Sequence, residues 1–197
     1  VKVVGEMKKG FKEGRKKGFT LVELLIVIII IGILAGAMML VAGRSRDSAE
    51  ASKIISDLRS VKAAALIWLT ENPAGLGTSN WTGLEDDPTP INSYLDKPLV
   101  KGHHRFLFET GTMTIKNPST VEGAPEELDV GVWLLGYDLK EIGDEFSAVR
   151  PGVTGNLASQ AKSVGLYGTK TIDMTATSDT EIGYFQSSNT EVYVIVQ

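Results

Sequence analysis

Two apolar patterns follow one another in the first third of the chain. Residues 24–43 read Leu-Leu-Ile-Val-Ile-Ile-Ile-Ile-Gly-Ile-Leu-Ala-Gly-Ala-Met-Met-Leu-Val-Ala-Gly, with no charge among them. Wound as a helix, 20 such residues span about 30 Å, the thickness of a bilayer's hydrocarbon. A core helix of a small soluble domain would keep a polar face; this run has none, and it predicts a transmembrane helix. After Arg44 the pattern changes. Ala51, Ile54, Ile55, Leu58, Val61, Ala65, Trp68 and Leu69 recur at steps of three and four, with Ser, Lys, Asp and Arg between them. That spacing is one stripe of an amphipathic helix, built to lie on a sheet. Pro73, Gly75 and Gly77 stop it. Residues 19 to about 70 therefore predict one helix, roughly 80 Å long.

Beyond residue 75 the period shortens. Residues 75–101 are rich in Gly, Asn, Pro and Thr and predict a long connection with a short helix near 92–95. Residues 105–109 and 113–116 predict a hairpin hinged at Thr110-Gly111-Thr112, and 130–137, 181–185 and 191–196 predict further strands. A short helix is expected over 139–146 and a polar loop around 159–161. The fold class that follows is α+β: a long N-terminal helix packed on an antiparallel sheet.

Charge sharpens this picture. Residues 1–18 carry seven Lys or Arg against Glu6 and Glu13, a net +5, and residues 19–197 carry a net −9. Basic residues ahead of the apolar run, against Arg44 and Arg46 after it, put the N-terminus in the cytoplasm by the positive-inside rule. An acidic body argues against nucleic acid as a partner, since phosphate neutralisation needs the opposite sign. The chain has no cysteine, which excludes a disulfide framework, a thiol nucleophile and a Cys-ligated metal. Nor does it contain a His-Glu-x-x-His, Gly-x-Ser-x-Gly, P-loop or Gly-x-Gly-x-x-Gly pattern. No enzyme is expected.

The junction between head and run is unusual. Lys16-Lys17-Gly18-Phe19-Thr20-Leu21-Val22-Glu23 sets a carboxylate at the mouth of the apolar segment, where an unpartnered acid is costly. A secretory signal would have a shorter run and a small-residue cleavage site after it; Ala35-Gly36-Ala37 lies inside the run instead. The junction resembles the class III signal of bacterial type IV pilins and type II secretion pseudopilins. The resemblance covers about the first quarter of the chain. It implies a pilin-like fold and cleavage between Gly18 and Phe19 by a membrane-embedded prepilin peptidase, which then methylates the Phe19 amine. Glu23, fifth in the mature chain, would then pair with the N-terminus of a neighbouring subunit; the alternative is that it only favours its own helix N-terminus. Gly32 and Gly36 form the Gly-x-x-x-Gly spacing that lets helices approach closely in lipid. Gly32 matches a glycine the family often has, whereas Leu40 stands where many major pilins carry proline.

The implied organisation is a cleaved leader at 1–18, a membrane and assembly helix at 19–43, an amphipathic stalk at 44–72 and a globular head at 73–197, with the chain's start at Val1 or Met7. The implied function is that of a structural subunit of a type IV pilus or related filament. Its partners would be the peptidase, copies of itself, other pilin-like subunits and the assembly machinery. It would begin as a single-pass protein of the inner membrane and end in an extracellular pilus or a periplasmic pseudopilus. The alternatives are a type II secretion pseudopilin, or a minor pilin whose head binds sugar, peptide or DNA.

Two further groups invite chemistry. His103 and His104 are neighbours, and in extended chain they point apart, so polar residues ahead of a strand are the expectation. The carboxylates of Glu85-Asp86-Asp87, of Glu126-Glu127 with Asp129, and of Asp173 with Asp179 and Glu181 are donors of the type that suits Ca²⁺. Solvated surface charge is the default for them, and no cofactor or metal is expected. Trp81 and Trp133 are core or interface aromatics; the sequence does not separate the two.

Overall fold

The computed structural model describes residues 18–72, 78–118, 123–140 and 146–197. The chain divides into two units, Val1–Ala42 and Gly43–Gln197. One helix, α1 (Leu21–Glu71), contributes to both. In the first unit the described large apolar side chains from Leu21 to Met39 are 49–88% exposed. Among the described residues nothing covers them, and the helix is long and apolar enough to cross a membrane.

The second unit is the α+β head. It holds α2 (Thr78–Gly83), α3 (Thr89–Asn92), β1 (Phe106–Lys116), β2 (Glu127–Asp138), α4 (Pro151–Val164), β3 (Thr171–Asp173), α5 (Asp179–Ile182) and β4 (Glu191–Ile195). The sheet runs β3-β1-β2-β4. β1 and β2 pair antiparallel from Phe106↔Tyr137 to Lys116↔Glu127, and β2 pairs antiparallel with β4. Only the short β3 is parallel, lying along Thr112–Thr114 of β1.

The stripe read from the sequence is the stripe that packs. Ala51, Ile54, Ile55, Leu58, Val61, Ala65 and Leu69 are buried against Phe106, Phe108 and Leu135 of the sheet and Val153, Leu157 and Ala161 of α4, with half-buried Trp68 at the margin. The sheet's other face carries a second cluster, Val132, Leu134, Tyr167, Ile172 and Tyr193. Arg150, just ahead of α4, ties it to the stripe helix through Asp47 (3.0 Å) and Glu50 (2.7 Å).

Three expectations are corrected. Residues 105–116 are one strand, not a hairpin, because Gly111 marks a close approach and not a turn. The Thr112 N–H donates to the Lys170 carbonyl at 2.9 Å. A Cβ on Gly111 would stand 2.2 Å from that oxygen and 2.6 Å from Leu134 Cδ1. Gly111→Ala is therefore expected to destabilise the head by about 1–3 kcal/mol, read as a lower denaturation midpoint of the detergent-solubilised chain. Residues 159–161 lie in α4, not in a loop, because Val153, Leu157 and Ala161 repeat every fourth residue inside a polar sequence. Pro151 opens that helix and Gly165, at φ 74°, closes it. Residues 181–185 are not a strand. Ser178 caps α5, its Oγ accepting from the Glu181 N–H at 3.3 Å and donating to the Glu181 carboxylate at 2.7 Å. Only Tyr184 keeps an extended contact, bridging Tyr167. The helix expected over 139–146 falls mostly outside the described residues. Asp138 ends β2, and Phe146 forms an isolated bridge.

Candidate functional site

Gly18, Phe19 and Thr20 precede the first turn of α1 as open chain. Phe19 is 85% exposed, and a Cβ on Gly18 would meet nothing within 4 Å. Among the described residues the Gly18–Phe19 bond thus lies outside the helix. Gly18 in particular keeps side-chain bulk away from it.

Thr20 and Glu23 form the first described polar contact of the chain. The Thr20 N–H and hydroxyl both donate to Glu23 Oε2 at 2.8 Å, and the Glu23 N–H donates to Thr20 Oγ1 at 3.2 Å. This is the Thr-x-x-Glu capping box, which satisfies helix-end N–H groups reciprocally. In the uncleaved chain the Glu23 carboxylate therefore has a partner within its own first turn. The spacing is legible in the sequence, where attention to the charge of Glu23 passes over Thr20.

Gly32 and Gly36 stand one turn apart on the same exposed helix, and a Cβ at either would meet nothing. Together they make a shallow notch in a surface otherwise covered by Ile, Leu and Met. The first unit thus joins a reachable junction, a capped carboxylate and a helix with a small-residue notch. The structure brings Glu23 to Thr20 and sets Gly32 and Gly36 one turn apart on α1, while Gly18 adjoins only Phe19 among the predicted site residues.

A family model described as the prokaryotic N-terminal methylation motif matches residues 14–39. Its N-terminal region is that of the pilin and pseudopilin family. The chain is 33% identical to the type II secretion system core protein G of Klebsiella michiganensis over 96 residues, 49% of this chain and 61% of that protein. It is 33% identical to the protein of that name from Klebsiella pneumoniae over 58 residues, 29% of this chain and 41% of the relative. With the one from Pectobacterium carotovorum subsp. carotovorum it shares 31% over 68 residues, 34% and 44% of the two chains. The alignments thus span 41–61% of the length of these relatives. No solved structure matches the chain.

In the head the other candidate groups separate. Trp81 is fully buried, donates its ring N–H to the Glu109 carbonyl at 2.8 Å and stacks on half-buried Trp133 at 5.5 Å, so both belong to the core. The carboxylates are engaged one by one. Asp86 faces Lys101, Asp129 accepts from Thr114, Asp173 accepts from Thr175 and Asp179 pairs with Lys162. Among the described residues no three His, Asp or Glu side chains converge as a metal would require. A groove of about 670 Å³ lies between Lys53, Asp57 and Val61 of α1 and the segment Tyr94 to Phe106. Arg105, which lines it, is buried and gives its guanidinium to the carbonyls of Asp138, Lys140 and Ser147, beneath the Phe146 ring. No pattern in the sequence marks that arginine as a structural pin.

His104 is half-buried while His103 is exposed. Burial holds the His104 imidazole below its ordinary pKa of about 6.5. With the folded value depressed, the unfolded chain binds the proton more readily, so stability is complete above about pH 6.5 and falls below it. The denaturation midpoint is expected to drop between pH 7 and pH 5, and His104→Gln to flatten that drop. Glu85, pushed up by burial nearby, works in the opposite sense in both proteins and cancels in the comparison.

Proposed function

We propose that the chain is a structural subunit of a pilus-type filament, made as a membrane-anchored precursor. A prepilin peptidase cleaves it after Gly18 and methylates Phe19, and the mature chain assembles through α1 with copies of itself and other pilin-like subunits. The precursor crosses the inner membrane once with its N-terminus in the cytoplasm. The single observation that carries this reading is the exposed Gly18–Phe19 junction set directly before a capped helix whose apolar surface no described residue covers. A helix of that kind holds a subunit in lipid before assembly. In a filament, neighbouring helices replace the lipid.

Glu23 has two successive partners in this reading. Before cleavage Thr20 holds it. Afterwards the new ammonium of Phe19 arises one turn away, and in the filament a neighbour's ammonium and Glu23 neutralise each other among apolar helices. Within the family, the secretion pseudopilus is favoured over the adhesive pilus, and the names of the relatives support this. Deleting the gene tests both readings. Loss of secreted enzymes with no change in surface filaments supports the pseudopilus. Loss of surface filaments with secretion intact supports the pilus.

A further inference from the structure

The groove beside α1 carries charged side chains that the head itself leaves unpaired. Its volume is about 670 Å³, within the range of about 300–1,000 Å³ that small-molecule sites occupy. Exposed Lys53 and half-buried Asp57 line it from α1, one helical turn apart. Exposed Asp96 and Lys97 line it from the segment that follows α3. Among the described residues none of these four side chains has an ion-pair or hydrogen-bond partner. Arg105, which also lines the groove, has its guanidinium taken up by three backbone carbonyls. A ligand of one sign would be repelled by two of the four free charges. A neutral group that both donates and accepts hydrogen bonds satisfies all of them.

The apolar part of the groove is aromatic and fixed in place. Tyr137 stands edge-on against buried Phe106, ring centroids 5.4 Å apart, and the Tyr94 hydroxyl donates to the Glu71 carboxylate. Both rings are therefore ordered before a ligand arrives, which lowers the cost of binding one. We infer that this groove binds an uncharged oligosaccharide. A pyranose ring presents a face of C–H groups that lies on an aromatic ring, and a rim of hydroxyls, each a donor and an acceptor. Those hydroxyls donate to Asp57 and Asp96 and accept from Lys53 and Lys97, while the ring faces lie on Tyr94 and Tyr137. An extended peptide fits less well, because its backbone ladder needs an open strand edge. The walls here are a helix on one side and turns and open chain on the other. The groove lies wholly in the head, so its occupancy does not depend on cleavage or assembly.

The test uses the full chain in dodecylphosphocholine micelles, whose head group contains no sugar. Maltotetraose, cellotetraose and the N-acetylglucosamine tetramer are the neutral probes; the tetramers of galacturonic acid and glucosamine are the anionic and cationic ones. Binding is followed by calorimetric titration and by saturation transfer from protein to sugar protons. At least one neutral probe is expected to bind with a Kd of about 1 mM or below, and both charged probes about tenfold more weakly. Tyr137→Leu and Asp57→Ala should each weaken the neutral probe about tenfold. Lys97→Ala, on exposed chain away from the core, should weaken it too and keeps the test independent of folding. No binding of any neutral probe at about 10 mM, equal or tighter binding of a charged probe, or a Lys97→Ala chain that binds like the parent overturns the proposal.

Discussion

Glu23→Ala is expected to leave cleavage at Gly18–Phe19 nearly intact and to strand the processed subunit in the membrane. Cleavage is local to a junction that lies outside the helix, four residues from Glu23. Assembly instead carries the Phe19 ammonium from interfacial water into a bundle of apolar helices. Removing one member of a buried ion pair costs about 3–5 kcal/mol. At tenfold per about 1.4 kcal/mol, even half of that suppresses subunit addition more than tenfold. The capping box supplies the competing account, since losing a cap costs about 0.5–2 kcal/mol. Glu23→Gln separates the two, because glutamine still closes the box with Thr20 but carries no charge. Sheared filament measured against total processed subunit should fall for both variants. A glutamine variant that assembles like the wild type would show that capping, not charge, is what Glu23 supplies.

Gly18→Val is expected to abolish processing. A branched Cβ beside the scissile bond both crowds the peptidase and stiffens the backbone that must enter it. In the chain itself the substitution meets nothing within 4 Å, so the precursor should fold and insert as before. The loss would then lie in recognition alone. Immunoblots should show only the longer precursor; a mature band of normal size would remove the junction from the account.

The elements legible in the sequence are those whose signal is local and periodic. The apolar run and the stripe from Ala51 to Leu69 declare themselves by the absence of charge and by a period of three and four, and the stripe is the one that packs. Residues 130–137 and 191–196 likewise show as runs rich in β-branched and aromatic residues, and they fall on β2 and β4, though the first three residues of β2 carry no such signal. The failures come where one residue type serves two physical ends. Thr110-Gly111-Thr112 is turn chemistry by composition, yet that glycine is needed because the Lys170 carbonyl comes too close for a Cβ. Glu181 opens a stretch that reads as a strand, and the N-cap that Ser178 makes with it winds it into a helical turn. Arg105 becomes a pin only because the last residue of β2 and two residues beyond it turn the carbonyls of Asp138, Lys140 and Ser147 toward it. At the candidate site the motif itself is linear and could be read directly.

Intact-mass measurement with N-terminal sequencing of the chain purified from membranes decides whether it is a processed pilin-like subunit. The mature protein is expected to begin at Phe19, to carry one extra methyl group on its terminal amine and to have lost everything through Gly18. A membrane-extracted protein that keeps Gly18, begins after Ala37, or begins at an unmethylated Phe19 would contradict it.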